Sequence, residues 1–132
     1  MRVLLDTNAY SALIAGQHEV GERIREAEEV LFSTIVLGEL LFGFHSGSRY
    51  ERNRRLLDEF LQEPRVRIVT LSLVTAERFG EIFASLRTRG KPIPTNDIWI
   101  AAQAMENDSE LLSADAHFGF VENLSWLSFP AR

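Results

Sequence analysis

Four acidic residues lie in or beside apolar segments: Asp6, Glu39, Asp97 and Asp115. An ionised carboxylate that is removed from water is costly unless it is paired or bound to a metal ion. Mg²⁺ prefers oxygen ligands and keeps several waters, so it suits a few carboxylates together with a substrate phosphate. One or two such ions can activate water for attack on phosphorus, and an acid that is not a ligand can serve as general base. The four acids therefore predict an acidic pocket that holds a divalent cation.

Two of these acids follow short apolar runs that are typical of β-strands. Asp6 comes directly after Val3–Leu5, and Asp115 directly follows Leu111–Ala114. In open parallel sheets, ligands bind outside the carboxyl ends of the strands, so the two acids can meet although they are far apart in sequence. Each also has a simpler interpretation. Asp6 could cap the next helix, and Asp115 could be an ordinary turn residue.

The other two acids lie in segments with a helical pattern. Ile35 and Phe42, four residues before and three after Glu39, place it on a face that we expect to pack into the core. Solvated glutamates normally occupy the opposite face, so the alternatives are an edge position or an ion pair with an arginine. Asp97 could simply complement the dipole in the first turn of a helix that Asn96 caps.

Residues near the acids add little specific chemistry. Four polar neighbours could hold waters or phosphate oxygens: Thr7, Asn8, Asn96 and Ser113. No ligand spacing connects the three histidines: His18, His45 and His117. The chain has no G-x-S-x-G motif, no cysteine nucleophile and no glycine-rich nucleotide motif, so neither a covalent triad nor a nucleotide fold is indicated.

Strand and helix patterns alternate along the chain. Five short runs, mostly apolar on successive residues, predict strands that are buried on both faces: Arg2–Leu5, Val30–Thr34, Val66–Leu71, Glu110–Ser113 and Trp126–Phe129. Six segments between them predict helices: Asn8–Ala15, His18–Ala27, Val36–Phe44, Tyr50–Gln62, Thr75–Arg89 and Asp97–Glu106. This alternation predicts right-handed crossovers and a three-layer α/β/α sandwich with a mainly parallel central sheet, as one domain over residues 1–132.

The composition is that of a soluble globular protein, with 45% apolar and 25% charged residues. The absence of cysteine excludes disulfides and zinc–thiolate sites. No apolar run approaches the roughly 20 residues of a membrane span, and the first residues do not resemble a signal peptide, so we expect a cytoplasmic protein. A net charge of −5 argues against a generic nucleic-acid binder, unless the negative charge is concentrated in a metal pocket. The arginines are expected on solvated helix faces, for example Arg54 paired with Asp58.

Five blocks in this order resemble the PIN-domain ribonucleases of the VapC type, the toxins of type II toxin–antitoxin pairs: Leu4–Asn8, Ser33–Gly43, Asn53–Leu57, Thr95–Ala102 and Leu111–Phe118. The resemblance covers nearly the whole chain. It implies a Mg²⁺-dependent, or Mn²⁺-dependent, endoribonuclease with Asp6, Glu39, Asp97 and Asp115 as catalytic and metal-binding residues. It also implies an RNA substrate, a homodimer, and a small antitoxin that docks on the apolar surfaces of the second to fourth helices.

Three alternatives remain open from the residues. A phosphotransfer enzyme of the haloacid dehalogenase type would need a second aspartate two residues after Asp6, where this chain has Asn8. A receiver-type signalling module would need a lysine after a late strand, and Lys91 is the only lysine. A catalytically inactive PIN-like module that binds RNA or protein is the third alternative, although all four acids are present.

Overall fold

A five-stranded parallel sheet forms the centre of the fold, in a computed structural model that describes residues 1–131. Its strands are β1 (Arg2–Leu5), β2 (Glu29–Ser33), β3 (Val66–Val69), β4 (Glu110–Leu112) and β5 (Trp126–Leu127). Their order across the sheet is β3-β2-β1-β4-β5, and every neighbouring pair is parallel. The predicted parallel sheet is confirmed. It makes neighbours of β1 and β4, which are far apart in sequence.

Six α-helices flank the sheet and give the predicted three-layer α/β/α arrangement. They are α1 (Thr7–Ile14), α2 (His18–Glu26), α3 (Thr34–Ser46), α4 (Tyr50–Leu61), α5 (Leu73–Thr88) and α6 (Thr95–Glu106). A short 3₁₀ helix, Ala116–Phe120, follows β4 and was not predicted. Within residues 1–131, no helix has both the length and the apolar character that a membrane crossing requires.

Three of the helices begin two residues before the predicted positions, and side-chain caps account for two of them, α3 and α5. The Ser33 hydroxyl accepts a hydrogen bond from the backbone N–H of Ile35 at 3.0 Å and so starts α3. Ser72 and Thr75 form a reciprocal capping box at the start of α5. The third helix, α6, has no side-chain cap. It begins at Thr95, directly after Pro94, and so includes the two residues before Asp97.

Both edge strands are shorter than predicted, because the neighbouring inner strand ends first. Val69 pairs with Ser33, the last residue of β2, and β3 ends there. Leu127 pairs with Leu112, the last residue of β4, and β5 ends there. A parallel strand continues only while its neighbour offers backbone partners.

The inner strands supply the core, as expected for a parallel sheet that is covered on both faces. The side chains of Val3–Leu5 and Val30–Phe32 are fully buried. The rings of Tyr10 and Phe60 pack edge-on against Phe32, with ring centroids 5.6 and 5.7 Å away. These contacts fasten α1 and α4 to β2, next to the strand that precedes Asp6.

The core face of α3 differs from the prediction. Val36 and Leu40 are buried, whereas Phe42 is 73% exposed. Residues two apart on a helix point in directions about 200° apart, so a helix that buries Leu40 directs Phe42 outward. The expectation that Phe42 belongs to the core is therefore wrong. Glu39 lies at the margin of the buried face and is half-buried.

A buried polar pair connects the start of α3 to α6. The Ser33 hydroxyl donates to Gln103 Oε1 at 2.6 Å, and both side chains are fully buried. Gln103 Nε2 donates to the carbonyl of Val69 at 3.4 Å. Because α3 carries Glu39 and α6 carries Asp97, this pair helps to set the distance between the helices that bring those two acids together.

Candidate metal and active site

The four acidic side chains line one cleft at the carboxyl ends of β1 and β4. The cleft has a volume of about 620 Å³. Asp6 follows β1, and Asp115 lies just beyond β4 on the neighbouring strand. Glu39 comes from α3, and Asp97 comes from the first turn of α6. The strand-end argument for Asp6 and Asp115 therefore describes their positions correctly.

Asp6 is the most buried of the four acids, with 5% of its surface exposed. Its Oδ2 accepts hydrogen bonds from the Ser113 hydroxyl at 2.7 Å and from the Asn8 amide at 3.2 Å. Its Oδ1 accepts the backbone N–H of Thr7 at 2.8 Å, so Asp6 also caps α1. Burial raises the pKa of Asp6, the Ser113 hydrogen bond lowers it, and nearby acidic charges raise it further. The capping role and the position in the cleft are compatible.

Glu39 is held by one hydrogen bond on each carboxylate oxygen. The Thr7 hydroxyl donates to Oε1 at 2.7 Å, and the Asn96 amide donates to Oε2 at 3.5 Å. Thr7 thus contacts two acids, since its backbone N–H binds Asp6. Among the described residues, no arginine forms an ion pair with Glu39, so the interpretation as an arginine partner is wrong.

Asp97 and Asp115 lie on either side of His117. The Nδ1 atom of His117 is 3.1 Å from Asp115 Oδ1 and 3.5 Å from Asp97 Oδ2. Burial raises the pKa of Asp97 to about 6, together with the negative charges of Asp115 and Asp6, while His117 opposes this shift. Asp97 is therefore an acid that burial and like charges make harder to ionise.

The segment after β4 fixes the backbone around this histidine. Asp115 Oδ1 accepts the backbone N–H of His117 at 2.9 Å, and the Ser113 hydroxyl accepts the N–H of Asp115 at 3.0 Å. Phe118 is buried and anchors the 3₁₀ helix. Asp115 is therefore the N-cap of the 3₁₀ helix, with an extended backbone, and not an ordinary turn residue, and its carboxylate faces the cleft.

Sequence reasoning missed His117, because neighbouring residues in the chain give it no ligand spacing. The signal that could have found it is its position two residues after an acid at a strand end. His18 pairs instead with Glu22, and His45 packs on the ring of Tyr50.

The four predicted polar neighbours hydrogen-bond mainly to the acids and to one another. Thr7 and Asn96 hold Glu39, while Ser113 and Asn8 hold Asp6. Asn8 also accepts the backbone N–H of Ala114 at 2.9 Å, which ties α1 to the segment after β4. The alternative that Asn96 caps α6 is wrong, because the helix begins at Thr95 and Asn96 is its second residue.

The donor atoms of this cleft fit a divalent cation. One ligand atom each from Asp97, Asp115 and His117 lies within 4.8 Å of the others. Among the described residues that line the cleft, none is an arginine or a lysine. The acidic charges therefore have no permanent positive partner there, and a cation would relieve their mutual repulsion.

Comparison with known proteins identifies the family. The PIN domain model matches residues 3–123. Ribonuclease VapC2 of Haemophilus influenzae is 33% identical over 115 residues, which is 86% of each chain. Ribonuclease VapC1 of the same species is 28% identical over 131 residues, or 96% of each chain.

Solved structures agree with this assignment. A chain in the crystal structure of VapBC2 from Rickettsia felis, bound to a DNA fragment from their promoter, superposes with a TM-score of 0.86. The two chains share 25% identity, and the match covers 98% of this chain and 100% of the other. The protein with this acidic cleft therefore belongs to the PIN-domain family, in the group of the VapC ribonucleases.

Proposed function

We propose that the acidic cleft is where this VapC-type endoribonuclease hydrolyses RNA, with Mg²⁺ as its metal ion. The observation that carries the proposal is the convergence of Asp6, Glu39, Asp97 and Asp115 in one cleft without a basic side chain among its described lining residues. RNA is a polyanion, and a cleft with this charge repels it unless a cation is present. Metal binding and substrate binding are therefore coupled in this proposal.

The acids would divide into two groups by their surroundings. Asp97 and Asp115 are the closest to a common point and would hold the cation, with Asp6 beside them. When bound, the metal ion supplies Lewis acidity toward a phosphate oxygen and activates water. Asp6 is held by Ser113 and Thr7, so its carboxylate keeps a fixed direction.

Glu39 would orient the attacking water or accept its proton. Its two oxygens each accept one hydrogen bond, so the carboxylate is held in place and retains further lone pairs for water. Because Thr7 binds both Asp6 and Glu39, the position of the Glu39 carboxylate would depend on that of Asp6.

We also propose that the protein is the toxin of a toxin–antitoxin pair and binds a small antitoxin on its helices. A groove of about 210 Å³ lies between α1, α3 and α4 and is lined by apolar residues such as Ile14, Leu40 and Phe44. An amphipathic helix needs such a groove. It involves α1 in addition to the predicted helices α3 and α4, and no residue of α2 lines it.

A second exposed apolar surface supports the proposed homodimer. Leu71, Leu73 and Val74 are 43%, 76% and 51% exposed where β3 leads into α5. Ile68 on the edge strand β3 is 45% exposed beside them. Several exposed apolar side chains within seven residues of the chain are typical of a contact with another chain.

The test is cleavage of labelled cellular RNA by antitoxin-free protein, in Mg²⁺ and in EDTA. We expect metal-dependent cutting that is lost in Asp97→Asn and in Asp115→Asn. Asp58→Asn is the matched control, because Asp58 pairs with Arg54 on the exposed side of α4, as predicted, and lies outside the cleft. If the wild type binds Mg²⁺ but cuts no RNA, the protein is an inactive binding module and the proposal is wrong.

A further inference from the structure

We propose that His117 binds the metal ion directly, and that this nitrogen ligand makes the site prefer Mn²⁺ to Mg²⁺. The inference rests on the proposed metal site and adds a residue and a metal selectivity to it. Neither follows from the four acids, which offer only oxygen ligands. Three observations carry it: the position of the ring, the two acids as the partners of its Nδ1 atom, and the chemistry of the donors.

The ring is placed where a shared ligand would be. His117 Nδ1 is 3.1 Å from an oxygen of Asp115 and 3.5 Å from an oxygen of Asp97. Adjacent ligands of an octahedral ion with bonds of about 2.1 Å are about 3 Å apart. The nitrogen and the two oxygens therefore need only small shifts to surround one ion.

The backbone presents the ring in a fixed place while the side chain can adjust. The N–H of His117 is held by Asp115 Oδ1 at 2.9 Å, and Phe118 next to it is buried. The His117 side chain is 46% exposed, so its ring can turn without disturbing the core. Small adjustments of the ring are thus available at little cost.

Asp6 accepts more hydrogen bonds than the other acids, and its Oδ1 still keeps a lone pair for a metal ion. Its oxygens already accept hydrogen bonds from Ser113, Asn8 and the backbone of Thr7. His117 Nδ1 contacts only the two acidic partners among the described residues. Asp97, Asp115 and His117 therefore offer two carboxylates and one imidazole to an ion, and Asp6 remains a further ligand of the proposed site.

This donor set selects among metals. Mg²⁺ is a hard ion that takes oxygen ligands and dehydrates reluctantly, so an imidazole adds little to its binding. Divalent transition metals accept imidazole nitrogen readily, and Mn²⁺ also tolerates carboxylates and water. A site with two carboxylates and one histidine therefore favours Mn²⁺ over Mg²⁺.

A different role for the same histidine predicts the opposite result. A positively charged ring between Asp97 and Asp115 would occupy the place of the cation and compete with it. Removal of the ring would then strengthen metal binding. The sign of the change in affinity separates a ligand from a competitor.

The experiment measures Mn²⁺ binding by the electron paramagnetic resonance signal of the free ion, and Mg²⁺ binding by competition. We expect His117→Ala to weaken Mn²⁺ binding at least about 10–100-fold, because loss of a group that only hydrogen-bonds to a metal ligand already has an effect of this size. Mg²⁺ binding should change much less. His117→Gln supplies an oxygen and should reduce the preference for Mn²⁺. The matched control is His45→Ala, because His45 packs on Tyr50 away from the cleft.

A spectroscopic signature completes the test. Electron spin-echo modulation of bound Mn²⁺ should show coupling to a ¹⁴N nucleus in the wild type, and this coupling should disappear in His117→Ala. Equal losses of Mn²⁺ and Mg²⁺ affinity, tighter binding in the variant, or an unchanged nitrogen signal would each overturn the inference. If the wild type binds neither metal and cuts no RNA, the proposed function fails as well. If one of those overturning results is found in a protein whose wild type binds metal and cuts RNA, only the role of His117 is wrong.

Discussion

Replacement of Asp97 by asparagine should stabilise the metal-free protein at neutral pH, although it removes a proposed metal ligand. Burial and two neighbouring acids raise the pKa of Asp97 from 3.8 to about 6. At pH 7.5 the carboxylate is ionised in both the folded and the unfolded chain, and ionisation is less favourable in the folded chain. Asparagine has nearly the same shape and no charge, so the variant avoids this cost.

The size of the effect follows from the pKa change. A rise from 3.8 to about 6 corresponds to roughly 3 kcal/mol of lost stability in the free energy of unfolding. The carboxylate faces an open cleft, so solvent screening lowers the net value to about 1–2 kcal/mol. For 132 residues, with an unfolding entropy of about 2.1 cal/mol/K per residue, this is a rise in Tm of about 4–7 °C.

The sign of the stability change in Asp97→Asn can be tested by varying the pH. Because folding raises the pKa of Asp97, the full stability is present below about pH 4, where the carboxyl is protonated in both states, and part of it is lost as the pH rises through about 6. Thermal unfolding in EDTA should therefore show the variant above the wild type at pH 7.5 and close to it at pH 4. Mg²⁺ should raise the Tm of the wild type and leave that of Asp97→Asn nearly unchanged.

Asp58→Asn provides the control, because Asp58 is exposed and pairs with Arg54 on the surface. Its Tm should change by less than a degree or two in EDTA, since exposed ion pairs contribute little. A variant Asp97→Asn that is less stable than the wild type in EDTA at pH 7.5 would refute the reasoning. In that case other contacts of the Asp97 side chain would outweigh the electrostatic cost of its negative charge.

Of three further predictions, two concern residues that support the cleft and the third concerns the proposed dimer surface. Thr7→Val removes the hydroxyl that holds Glu39 and should lower kcat for RNA cleavage at least tenfold, with metal affinity measured by calorimetry little changed. Gln103→Leu leaves the buried Ser33 hydroxyl without its acceptor and should cost about 1–3 kcal/mol in the free energy of unfolding by urea. Leu73→Glu places a charge on the proposed dimer surface and should give a monomer in sedimentation velocity. Its affinity for metal, measured without RNA, should be that of the wild type.

Each of these has a matched comparison. Thr7→Ser keeps the hydroxyl and should retain most activity, and an inactive Thr7→Ser would argue against the Glu39 contact. Gln62→Leu changes an exposed glutamine and should leave stability near that of the wild type. Phe42→Glu alters an exposed apolar residue on α3. It should leave the dimer intact, and its dissociation would move the proposed dimer surface away from α5.

The sequence was sufficient to predict the sheet and the meeting of two acids at its edge. Apolar residues on successive positions, as in Val3–Leu5, are required where both faces of a strand are covered. Because the strands are parallel, the carboxyl ends of β1 and β4 lie at the same end of the sheet. The meeting of Asp6 and Asp115 follows from this arrangement. These conclusions use periodicity and topology alone.

The remaining details depend on contacts between distant residues. The direction of Phe42 depends on the rotation of α3 about its axis, which the burial of Leu40 sets through packing. The position of His117 beside Asp97 depends on the turn after β4 and on the docking of α6. A hydrogen-bond partner more than 30 residues away, such as Glu39 for Thr7, has no local pattern that would indicate it.

The placement of β1 beside β4 has a consequence for the synthesis of this protein. The cleft combines Asp6, which follows the first strand, with Asp115, which follows the fourth, so the ribosome must translate through Asp115 before the two can meet. A chain that terminates before Glu110 lacks β4, the neighbour on one side of β1, and cannot close the sheet around Asp6. Products that terminate before Glu110 are therefore expected to lack nuclease activity. A cell that makes this enzyme would be exposed to its activity only after translation has passed Asp115.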